Sequence, residues 1–78
     1  MSKKKVETII RDSLEDYFRD LRGTEPQGMY AMVIQAAERP LLEAVMQRTQ
    51  GNQSLAAQWL GINRNTLRSK LLAHKLIK

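Results

Sequence analysis

The side chains with the most definite chemistry in this sequence lie in one short run, "NRNTLRSK", residues 63–70. Arginine can fork to the O6 and N7 of a guanine, and asparagine can pair with an adenine edge. Hydroxyls and lysine ammonium groups suit phosphate oxygens. Such donors read or hold a duplex only if a rigid element carries them. The residues just before the run have the pattern of one, because Gln53, Ala57 and Gly61 follow one another at intervals of four. A helix-turn-helix needs a small residue where its two helices cross, and Ala57 supplies it. It needs a tight turn that accepts positive φ, and Gly61 lacks the Cβ that would oppose this. It needs apolar residues after the turn to fix the angle, and Ile62 and Leu67 supply them. The second helix would then turn Arg64, Asn65, Arg68 and Ser69 outward.

Neither helix of this pair could stand alone, since isolated helices shorter than roughly 12–15 residues are marginal in water. The spacing predicts them over residues 53–60 and 64–74. Asn52 is placed to cap the first and Asn63 the second, each offering a side-chain oxygen to a free N–H of the opening turn. Ala56, Leu60, Ile62, Leu67 and Leu71 would pack between them.

Two longer helices precede the pair. Val6, Ile9, Ile10, Leu14, Tyr17, Phe18 and Leu21 recur at steps of three or four and predict a helix over residues 5–21 with one apolar stripe. Glu15 and Arg19 could pair on its polar face. Gly23 is the expected stop, and "GTEPQG" the connection. Met29, Met32, Val33, Ala36, Ala37, Leu41, Ala44 and Val45 predict a second helix over residues 29–50. Pro40 interrupts it, and the unbroken apolar phase favours a kink over a break. Nothing reads as a strand or a repeat. The expected fold is all-α, one domain over residues 1–78, with four helices: 5–50 in the first pair and 51–78 in the helix-turn-helix.

Charge divides the chain at the same point. Residues 1–50 hold eight Lys or Arg and eight Asp or Glu, whereas 51–78 hold Arg64, Arg68, Lys70, Lys75 and Lys78 and no acid. The net charge of +5 therefore lies in the helix-turn-helix segment, which points to an anionic partner. There is no cysteine to form a disulfide or a thiolate metal site. "MSKKK" is followed by no apolar signal region, and no apolar run approaches the ~20 residues of a membrane span. A soluble intracellular chain is expected. At 78 residues its core is thin for a monomer, and oligomerisation is one remedy.

The segment "GNQSLAAQWLGINRNTLRSKL" strongly resembles the DNA-binding segment of the Fis family, proteins of the bacterial nucleoid. "RPLLEAVMQRTQ" resembles the same family, including the proline within the long helix. The resemblance covers roughly residues 5–76. It implies a cytoplasmic homodimer in which the first two helices of each chain intertwine, with Ile10, Leu14, Phe18, Val33, Leu41 and Val45 in the shared core. It implies that double-stranded DNA is the partner, with no cofactor, metal, small-molecule ligand or membrane. By the resemblance Asn63 and Arg64 approach base edges, while Asn52, Gln53, Ser54, Thr66, Arg68 and Lys70 hold the backbone. The recognition helices of such a dimer sit closer than one DNA turn, so the duplex must bend. The implied role is transcription regulation and nucleoid organisation. Leu55 and Ser69 stand where well-known members carry basic residues, and Asn65 replaces a common glycine. No counterpart of the family's invertase-stimulating N-terminal arms is expected.

The C-terminal segment is also similar to that of NtrC-type activators, and a stand-alone regulator of that type is one alternative. A protein-interaction module is another. An anionic membrane fits less well, because Gly61 breaks the amphipathic pattern. The composition argues against an enzyme: it has one histidine and no glycine-rich phosphate loop. His74 reads as a helix-end residue, Asp12, Glu15 and Asp16 as a solvated face, and Trp59 as packing at the core's edge. Asn63 could be a cap only.

Overall fold

The computed structural model describes residues 2–78. These form four α-helices: α1 (Lys3–Leu21), α2 (Met29–Arg48), α3 (Gln53–Leu60) and α4 (Arg64–Ala73). The described residues contain no strand, and the chain is all-α.

Helix α1 starts two residues earlier than periodicity indicates, because the Ser2 hydroxyl accepts from the Lys5 N–H at 3.4 Å. It stops one residue before Gly23: Arg22 already has φ 50°, and its N–H donates to the Arg19 carbonyl. Arg19 pairs with Asp16 at 2.9 Å rather than with Glu15. Three and four residues are both neighbouring separations on a helix, and the nearer carboxylate takes the guanidinium. Both side chains are solvated, so the pair stabilises little.

Helix α1 buries no residue. Its apolar stripe faces a groove of about 310 Å³ shared with α2 and lined by Ile9, Ile10, Leu14, Tyr17, Met32 and Val33. Ile9 is 56% exposed and Phe18 47% exposed. A stripe of this regularity is left open to water.

Helix α2 runs unbroken through Pro40. A proline removes one helical hydrogen bond, and here the turns on either side carry the helix past it. The helix ends at Arg48, short of residue 50, because the Thr49 hydroxyl donates to the Val45 carbonyl at 2.9 Å and Gln50 turns left-handed at φ 54°. Its C-terminal half has a second apolar face that a single stripe does not reveal. Leu42 is 1% exposed, whereas its neighbour Leu41 is 50% exposed.

The core sits under the short helices. Leu42, Ala56, Ala57, Leu67 and Leu71 are buried together, and Val45, Met46, Leu60, Ile62, Leu76 and Ile77 pack around them. Each buried leucine contributes roughly 1.5–3 kcal/mol. Leu76 and Ile77 reach this cluster because Lys75 turns left-handed and the Leu76 N–H donates to the Leu71 carbonyl at 2.9 Å. α3 and α4 therefore share one core with the C-terminal half of α2 and with Leu76 and Ile77. The core holds α2, α3 and α4 as one unit, and none of its members comes from α1.

Candidate nucleic-acid interface

The turn between α3 and α4 forms as its residues require. Gly61 has φ 72°, and its N–H and that of Ile62 both donate to the Ala57 carbonyl, at 2.9 and 3.1 Å. This pattern satisfies the last carbonyls of α3 and reverses the chain in three residues. A Cβ on Gly61 would meet no atom within 4 Å, so the backbone angle rather than space excludes other residues. Ala56 and Ala57 are 0% and 5% exposed where α3 meets α4. Small side chains there let the two helices approach closely.

Both expected caps are present. Asn52 Oδ1 accepts from the Leu55 N–H at 3.1 Å and Asn63 Oδ1 from the Asn65 N–H at 2.7 Å. The caps fix where each short helix begins and so which way its first turn points. Leu67 and Leu71 anchor α4 from below, each 0% exposed. Arg64, Asn65, Thr66, Arg68 and Ser69 are left exposed. Asn52 and Ser54, at the start of α3, are exposed, and Gln53 is partly buried. The arrangement is a helix-turn-helix whose second helix stands on two leucines with cations at its open end. Among the described residues, no ion pair engages Arg64 or Arg68.

Lys70 is different. Its Nζ donates to Glu38 Oε2 at 2.8 Å, across from α2. Glu38 Oε1 lies 2.9 Å from His74 Nε2, and the Arg39 guanidinium donates to the His74 carbonyl. The hydrogen bond from Lys70, and next that from His74, hold the Glu38 carboxyl below its ordinary value, against partial burial acting the other way. The carboxylate is therefore charged at neutral pH. His74, expected only as a helix-end residue, is also a tertiary ligand of Glu38. No sequence signal marks this trio, because its members are 32 and 36 residues apart. Trp59, expected at the core's edge, is 56% exposed.

The residues expected in a shared core divide into two groups. Val45 packs against the helix-turn-helix of its own chain. Ile10, Phe18 and Leu41 are exposed, and Leu14 and Val33 are half-buried along the α1–α2 groove. No described helix is long and apolar enough to cross a membrane.

Comparison with known proteins adds to this geometry. The family model for bacterial regulatory proteins of the Fis family matches residues 33–74, which take in most of α2, all of α3 and α4, and the turn between them. The chain belongs to the Fis family. The chain is 60% identical over 77 residues to a Fis-like DNA-binding protein of Ralstonia nicotianae, covering 99% of this chain and 100% of the relative. It is 54% identical over 72 residues to a Fis-like DNA-binding protein of Neisseria meningitidis serogroup A, covering 92% and 91%. It is 44% identical over 71 residues to the DNA-binding protein Fis of Proteus vulgaris, covering 91% and 76%. The likeness to the Ralstonia and Neisseria members of the Fis family thus extends beyond the helix-turn-helix to α1 and the groove.

Proposed function

We propose that this Fis-family chain is a homodimeric regulator that binds and bends double-stranded DNA through its helix-turn-helix, in the bacterial cytoplasm and on the nucleoid. The observation that carries the reading is the exposed, unpaired cationic start of α4, capped by Asn63 and seated on Leu67 and Leu71. The N-terminal end of a recognition helix is the part that enters the major groove. Arg64 is the proposed base reader, with Asn63 beside it. Capping uses the Asn63 oxygen and leaves its amide N–H donors for a base. Asn52, Gln53, Ser54, Thr66 and Arg68 are the proposed backbone contacts, aided by the free N–H groups at the starts of α3 and α4. Lys70 reaches the backbone only with its ammonium shared with Glu38.

The dimer is supported by the open stripe. Phe18, Ile9 and Ile10 on α1 and Met32 and Leu41 on α2 are all more than a third exposed in the single chain. Two copies that intertwine these helices would cover them without any further element.

Arg64→Ala tests the assignment of the reading residue. It removes a base contact worth about 1–3 kcal/mol and flattens preference at one position per half-site. Binding of wild type and variant to a specific site and to random duplex, across a salt series, measures this. If Arg64→Ala weakens both DNAs by the same factor, Arg64 only clamps phosphate.

Bending has its own test. Two recognition helices closer than the roughly 34 Å turn of a straight duplex require it to curve. The cost, on the order of 1–6 kcal/mol, depends on the sequence being bent. Affinity should favour an A·T-rich centre over a G·C-rich one with constant flanks, and equal affinities would contradict bending.

A further inference from the structure

Glu38 lies outside the helix-turn-helix, yet its carboxylate reaches α4 twice. One oxygen accepts from Lys70 Nζ at 2.8 Å, and the other lies 2.9 Å from His74 Nε2. The Glu38 side chain is 21% exposed and that of Lys70 37% exposed, so the pair is partly shielded while the ammonium still meets solvent. The charged neighbour on α2, Arg39, is engaged with the His74 carbonyl and with Glu43 at 3.5 Å. Lys70 and His74, both from the α4 segment, are thus the groups that face Glu38.

A lysine strengthens DNA binding by neutralising a phosphate and releasing its counterion, which depends on the net charge it brings. With the Glu38 carboxylate 2.8 Å from its Nζ, Lys70 brings less net charge than an unpaired lysine would. A phosphate approaching the open side of its ammonium is attracted by Nζ and repelled by the carboxylate directly behind it. Arg64 and Arg68, on the same helix, carry no such counter-charge among the described ion pairs.

We propose that Glu38 is an affinity-setting residue for DNA: it withholds the Lys70 charge from the phosphate backbone and so weakens sequence-independent binding. This rests on the DNA-binding reading above and adds a residue on α2, outside the helix-turn-helix, to the determinants of affinity.

Glu38→Gln keeps the shape and a carbonyl oxygen for Lys70 but removes the charge. The expected result is tighter binding to specific and random duplex alike at low salt. The log–log salt dependence should steepen by up to about 0.9 for each half-site. Glu43→Gln changes net charge equally, about one and a half turns further along α2, and should produce a clearly smaller change. The double variant Glu38→Gln/Lys70→Met carries the same net charge at the site as the wild-type pair and should show the wild-type slope. A Glu38→Gln slope equal to or shallower than wild type overturns the proposal, as does a Glu43→Gln effect of the same size. If Glu38→Gln loses its helical signal, the double variant decides: a slope shallower than wild type means that Lys70 is a free phosphate clamp and Glu38 withholds nothing. Absence of any binding by wild-type protein would instead remove the DNA-binding reading itself.

Discussion

Phe18→Asp should leave a chain that neither assembles nor binds DNA at concentrations where the wild type does both. Phe18 is 47% exposed on a helix that buries no residue of its own chain. Its environment in the active protein is therefore set by what covers the stripe. Burying a phenylalanine is worth roughly 1.5–3 kcal/mol, and a dimer holds two. Losing both costs on the order of 3–6 kcal/mol, or about 10²–10⁴ in the assembly constant, before the penalty for burying a carboxylate is added. Sedimentation and duplex binding measured on the same samples would show both losses together. A variant that stays dimeric, or a wild-type chain that sediments as a folded monomer at micromolar concentration, would contradict the shared core.

The second large effect belongs to the other core. Leu67→Ala should destabilise the fold by about 2–5 kcal/mol, because it opens a cavity among Leu42, Ala56, Ala57 and Leu71. These residues have small or already fixed side chains and cannot collapse far into the space. Leu67→Met, which preserves volume, should cost less than about 1.5 kcal/mol. Leu67 also sets the height and tilt of α4, so the alanine variant should lose DNA affinity at temperatures where it is still largely folded. Thermal unfolding followed by helical signal, with binding measured well below the transition, tests both parts. A loss under about 1 kcal/mol would mean that α4 is held by the polar contacts from α2 rather than by its leucines.

What could be read directly from the residues was local. The caps at Asn52 and Asn63, the Gly61 turn and the inward Leu67 and Leu71 follow from short-range backbone and packing rules, and each is present. Helix boundaries went astray where a side chain intervenes: Ser2 extends α1, and Thr49 closes α2 early. Periodicity gave α2 one stripe from Met29 to Val45, but the helix serves two partners: Met32 and Val33 line the groove with α1, while Leu42 and Val45 pack with α3 and α4. The return of Leu76 and Ile77 depends on a left-handed Lys75, a conformation that lysine rarely signals. The Glu38–Lys70–His74 contact was out of reach altogether. Ion pairs between distant residues follow from the packed geometry and leave no spacing to detect. That gap bears on function, since spacing alone makes Lys70 another free cation of the interface.

The central claim is that two copies of this chain grip one duplex through the cationic ends of their α4 helices. Titration of a short specific duplex with wild-type protein, at several salt concentrations, tests it most directly. The account predicts two chains per duplex and a logarithmic affinity that falls steeply with the logarithm of salt, by roughly 0.9 for each phosphate contact. One chain per duplex, an affinity indifferent to salt, or no complex at low salt would contradict it.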